Sequence, residues 1–152
     1  MDQTISGGQP LEIQILSRMA KLLNSSQQAG KIFQECLKEA NITSINTSQD
    51  LVRFNQVLAK KGKEFDKLTQ SLMSEIMEAR LKQTKNKLTK ALGQEKADLV
   101  IQECLAEAKL NAITSSQDMY KFALCLIKRG GTVGVIGHSL KIQAILDGAE
   151  QT

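Results

Sequence analysis

IFQECLKEANITSINTSQDLVRFNQVLAKKG, residues 32–62, returns 68 positions later as VIQECLAEAKLNAITSSQDMYKFALCLIKRG, residues 100–130. The two stretches align without a gap and share 14 of 31 residues, where unrelated sequences share about two, so this is an internal duplication. The matches include Gln34/Gln102, Glu35/Glu103, Cys36/Cys104, Leu37/Leu105, Asp50/Asp118, Phe54/Phe122 and Gly62/Gly130. The expected fold is all-α, a tandem duplication of a four-helix unit packed as a pseudo-two-fold bundle. Units of about 70 residues are small for independent stability, so one shared core is expected.

Outward from the repeat, the chain divides into a loose tail at 1–9, repeat unit 1 at 10–77, repeat unit 2 at 78–146 and a C-terminal tail at 147–152. Pro10 suits the first turn of a helix. Leu11, Ile15, Leu16, Met19, Leu22 and Leu23 then recur at helical spacing to about Asn24. A second helix is expected from Gln28 to Asn41, with Ile32, Phe33, Cys36, Leu37 and Ala40 on one face. Thr47-Ser-Gln-Asp50 and Ser115-Ser-Gln-Asp118 both place a hydroxyl three residues before an acid, the signature of a capped helix start rather than of a ligand loop. Ile45 and Ile113 are expected to pack over those turns.

The third helix carries Leu51, Phe54, Val57 and Leu58 inward and ends Lys60-Lys61-Gly62; its copy ends Lys128-Arg129-Gly130. Cations in a last turn followed by glycine complement the helix dipole and supply a left-handed residue. From Glu64 to Leu92 no glycine or proline interrupts the chain. One long helix is therefore expected to close unit 1 and open unit 2, with Gly93 stopping it. The copies diverge most after Gly130, where glycines and β-branched residues replace strong helix formers. This segment reads as a poor helix, or as an extended piece Thr132–Ile136 followed by a helix Ser139–Leu146 with Ser139 as its cap.

Composition excludes several classes of protein. The chain carries a formal charge of +4, four Phe, one Tyr and no Trp, so the core must be aliphatic. Three cysteines with no CxxC or Cys/His cluster argue against a disulfide framework and against zinc. Cys36 and Cys104 fall on the apolar side of equivalent helices and Cys125 replaces Val57, which reads as small buried hydrophobes. MDQTISGGQP lacks the basic and apolar regions of a signal peptide, and no apolar run approaches the ~20 residues that span a bilayer. A cytoplasmic location is expected, and no membrane partner.

No catalytic motif is present. Gly137-His138-Ser139 falls short of Gly-x-Ser-x-Gly because Lys141 stands in the fifth place, and nothing downstream supplies an acid and base. No enzyme activity, cofactor or metal is expected. The leading expectation is a non-enzymatic interaction or regulatory module whose partner is another protein or a second copy. Its binding residues are placed at Gly134, Val135, Ile136, Gly137, His138 and Lys141, because Gly134 and Gly137 bracket an apolar pair and glycine permits close approach. The alternative is a nucleic-acid-binding protein. It would use Arg80, Lys82, Lys85, Lys87 and Lys90, read here as a solvated helix face, or a helix-turn-helix-like segment at 122–146 with its turn at Gly137.

Overall fold

The computed structural model describes residues 11–151; the expected tail at 1–9 and Pro10 lie outside them. Over the described residues the protein is all-helical, with no strand. The elements are α1 (Leu11–Leu23), α2 (Ser26–Glu39), α3 (Ser48–Ala59), a single 3-10 turn at Lys63–Phe65, α4 (Asp66–Leu92), α5 (Gln94–Glu107), α6 (Ser116–Lys128) and α7 (Gly131–Leu146). The chain separates into two compact units between Ile76 and Met77, within α4.

In unit 1, Ser25 starts α2 by accepting the Gln28 N–H. Thr47 starts α3 with a complete capping box: its hydroxyl accepts the Asp50 N–H at 3.1 Å, and the Asp50 carboxylate accepts the Thr47 N–H at 3.3 Å. The periodic apolar residues then form the core. Ile15, Met19, Phe33, Phe54, Phe65 and Leu72 are fully or almost fully buried, and the Phe33 and Phe54 rings lie 5.0 Å apart at 48°. Ile45 is buried over the capping turn, its N–H held by Glu12 at 2.9 Å. Arg18 reaches from α1 to α4, donating to Ser71 at 2.9 Å beside Glu75.

Unit 2 has its element boundaries at the same places along the repeat. α5 begins and ends 68 residues after α2, and α6 begins 68 residues after α3. Ser115 caps α6 by accepting the Asp118 N–H at 3.1 Å, as Thr47 caps α3. Asn41 and Lys109 both turn left-handed, at φ 59° and 61°. Each is followed by an N–H that reaches back to the helix just ended, Ile42 to the Leu37 carbonyl and Leu110 to the Leu105 carbonyl, which satisfies carbonyls left open at a helix end. Met119, Tyr120, Phe122, Leu126, Leu140 and Ala144 are buried in this unit.

The cysteines are buried as the periodicity predicts. Loss of water pushes the Cys36 thiol up to about 11 despite the pull of Lys61, and burial raises Cys104 and Cys125 as well. At neutral pH all three are protonated side chains rather than nucleophilic thiolates.

Two expectations are corrected after Gly130. No extended piece exists at Thr132–Ile136 and no turn at Gly137: α7 is one helix from Gly131 to Leu146. Ser139 is therefore an exposed mid-helix residue and not a cap. Tertiary packing outweighs the poor intrinsic propensity here. Gly134 and Gly137 face α6, and a methyl group placed on Gly137 would lie 2.8 Å from both the Ile127 nitrogen and Leu126 Cβ, and 3.0 Å from the Ala123 carbonyl oxygen. The glycines let two backbones meet, and the buried contact offsets what glycine costs the helix. Within the expected tail, the backbone of Ala149 and Glu150 is tied down by hydrogen bonds. Gly148, at φ 109°, lets the Ala149 N–H reach the Ala144 carbonyl, and Gln117 exchanges hydrogen bonds with the Glu150 backbone at 2.9 and 3.1 Å.

Candidate functional site

The two sets of candidate residues are dispersed differently. Of the basic set on α4, Arg80 is not on a solvated face. It is 3% exposed and pairs with Asp147, 3% exposed, through Nε···Oδ2 at 3.1 Å and Nη2···Oδ1 at 3.2 Å. Burial pushes the Asp147 carboxyl up to about 6, with Arg80 pulling it back. Lys85 pairs with Asp98 on α5 at 3.2 Å. Lys82, Lys87 and Lys90 remain exposed, and at 100° per residue they spread around the helix instead of forming one stripe.

The second set lies on α7 and divides between its two sides. Gly134 and Gly137 are buried against α6, so the close approach that the glycines permit is made within the chain. Ile136 and Lys141 are half-buried, and Val135 and His138 are exposed.

The exposed side has a composition unusual for a helix in water. Val135 is 69% exposed, Ile142 60% and Leu146 64%. Together with exposed Thr132 and Ser139 they recur at spacings of three and four residues along one line. Gly131, His138 and Ile145 flank that line on one side, Ile136 and Gln143 on the other. Among these ten residues none is an acid, a lysine or an arginine, and Lys141 is the single such charge in α7. A surface helix ordinarily turns one apolar stripe inward and a charged face to water; a helix apolar on all sides is ordinarily buried on all sides.

This line of residues eluded the sequence reading, which assigned Ser139 to a cap and centred on the glycine bracket. The signal was available: Thr132, Val135, Ser139, Ile142 and Leu146 keep a regular three–four spacing once Gly131–Leu146 is taken as one helix.

Unit 1 has a shallow depression of about 340 Å3 lined by Arg18, Lys21, Leu22, Lys67 and Leu68. It offers no buried polar group to orient a small molecule, as ligand pockets do. Among the described residues no three His, Cys, Asp or Glu side chains gather as metal ligands would, and no helix is long and apolar enough to cross a membrane. No protein-family model, curated protein or solved structure matches this chain.

Proposed function

We propose that this chain is a non-enzymatic helical interaction module, derived by duplication of a four-helix unit, that docks a protein partner on the outer face of α7. The observation that carries the proposal is the exposure of Val135, Ile142 and Leu146 on a helix face without a charged side chain. Covering such a face removes apolar surface from water at about 25 cal/mol per Å2. Support for the duplication comes from the 31-residue match and from caps, left-handed residues and helix boundaries that recur at the same offset. Three buried, protonated thiols suit a reducing, cytoplasmic setting.

The test is capture of a partner by tagged full-length chain. Ile142→Glu and Val135→Glu should abolish capture while leaving the helical circular-dichroism signal unchanged, and Lys82→Glu/Lys90→Glu should leave capture intact. The reverse pattern refutes docking on α7. It favours the nucleic-acid reading, which rests on Lys82, Lys87 and Lys90 and requires an affinity that falls steeply with salt.

A further inference from the structure

We propose that the depression between α1 and α4 in unit 1 is a separate docking surface whose occupant is an acidic amphipathic helix of another protein. An apolar side chain of that helix sits at Leu22 and Leu68, and carboxylates on its two flanks meet Lys21 and Lys67. The inference concerns unit 1 alone and does not depend on the α7 face. Two helices supply the walls: Arg18, Lys21 and Leu22 follow one another at helical spacing on α1, and Lys67 and Leu68 stand in the first turn of α4. Leu22 is 47% exposed, whereas Leu68 is buried. The depression is open and holds about 340 Å3. That suits side chains projecting from a peptide better than a small molecule, which binds where most of its surface is enclosed.

Charge names the occupant. Three of the five lining residues are cations and none is an acid. Arg18 is engaged within the chain, donating to Ser71 at 2.9 Å with Glu75 3.7 Å away. Lys21 and Lys67 are exposed and make no ion pair among the described residues. Their apolar stems can border the leucines while the ammonium groups stay at the rim. Two unanswered cations from opposite walls, with leucine between them, complement a helix that carries acids on both sides of an apolar stripe. A phosphate backbone would answer the lysines but leave Leu22 bare, and the lining has no aromatic ring on which a base could stack. The residues 68 positions later, Asn86, Thr89, Lys90, Val135 and Ile136, include one cation. Three cations at these places are therefore not something the helices need in order to fold.

The test is fluorescence anisotropy of a labelled synthetic peptide of about four helical turns, with leucines along one face and glutamates on both flanks, titrated with the full chain. Two comparison peptides carry glutamine or lysine in place of every glutamate. Wild type should bind the glutamate peptide most tightly and the lysine peptide least, with an affinity that falls as salt rises. Lys21→Gln/Lys67→Gln should weaken the glutamate peptide about tenfold, the worth of two exposed ion pairs, and leave the glutamine peptide unchanged. Leu22→Gln should weaken both, and all variants should keep the helical signal. Lys82→Gln/Lys90→Gln removes the same charge from unit 2 and Ile142→Gln blunts the α7 face; both should match wild type. Equal binding of the three peptides by wild type overturns the proposal. So does an equal loss in the two double-lysine variants, because the net charge of +4 would then account for the preference. A glutamate peptide lost by Ile142→Gln and kept by Lys21→Gln/Lys67→Gln sits on α7, which overturns this surface and leaves the docking reading above standing. A single-stranded oligonucleotide that binds through Lys21 and Lys67 when the glutamate peptide does not bind assigns the lysines to phosphate and likewise overturns it.

Discussion

The crossing of α3 with α4 and the crossing of α6 with α7 stand 68 residues apart along the chain, yet they are built from opposite materials. In unit 1 the position pair is Asn55 and Thr69: the Asn55 amide donates to the Thr69 carbonyl at 3.0 Å, while its own oxygen is buried without a partner. In unit 2 the equivalent pair is Ala123 and Gly137, and the two backbones close to distances at which a single methyl group would collide. One crossing is spaced by a polar side chain, the other is closed by removing side chains. Gly134 and Gly137 lie on the buried side of α7 with Val133, Leu140 and Ala144, while Val135, Ile142 and Leu146 face out. Unit 2 thus differs from unit 1 at this helix, inside by Gly134 and Gly137 and outside by Val135, Ile142 and Leu146.

The same contrast holds for charge. Arg80 and Asp147 form a buried pair in unit 2, whereas the residues 68 positions earlier are Glu12 and Ala79. The largest expected effect follows from that. Arg80→Met leaves Asp147 buried without its cation and should cost unit 2 about 3–5 kcal/mol, whereas Arg80→Met/Asp147→Leu should recover most of the loss. Urea unfolding of the three proteins measures both. A double variant no more stable than the single one would show that the pair does more than neutralise itself.

Acid should act next most strongly, and in the direction opposite to ordinary acid denaturation. The folded Asp147 pKa, about 6, lies above its unfolded value of 3.8, so the folded chain binds this proton first. The group's contribution to stability is fully present below about 4 and lost as pH rises through about 6, on the order of 2–3 kcal/mol across the window. Comparing the pH dependence of wild type with that of Asp147→Asn isolates it. An unchanged slope between pH 4 and 6 would mean the carboxyl stays ionised throughout.

Exchanging residues between the crossings tests the comparison itself. Gly137→Ala should destabilise by about 1–3 kcal/mol despite alanine's better helix propensity, because the added methyl group meets backbone on two sides. Gly134→Ala faces a single contact, the Ile127 carbonyl at 3.3 Å, and its strain and its propensity gain of about 1 kcal/mol should nearly cancel. Asn55→Ala should also be small, within about 1 kcal/mol, because it removes one hydrogen bond and one unsatisfied oxygen together. Thermal melts rank the three, and a Gly137→Ala protein as stable as wild type would mean the crossing can open.

Most of the scaffold was legible because it rests on local rules. The Asp50 and Asp118 caps, the run from Glu64 to Leu92 and the stop at Gly93 each need only neighbouring residues to act. What escaped depends on residues far away in the chain. Arg80 looks like its lysine neighbours until Asp147, 67 residues on, is placed against it. Gly134 and Gly137 weaken a helix in isolation, and only the α6 backbone beneath them explains why the helix forms. The exposed line on α7 was hidden by the same error, since a stripe at helical spacing cannot be seen across a break placed at Gly137.

Tyr120 is the single tyrosine in a chain without tryptophan, and it is buried in α6. Its emission therefore watches unit 2 alone, whereas far-ultraviolet dichroism weighs every helix alike. An unfolding curve recorded at both signals separates a chain that melts as one body from one whose halves let go in turn, because only the former gives coincident transitions. The poverty of aromatic residues thus leaves unit 2 with a built-in optical reporter that unit 1 lacks.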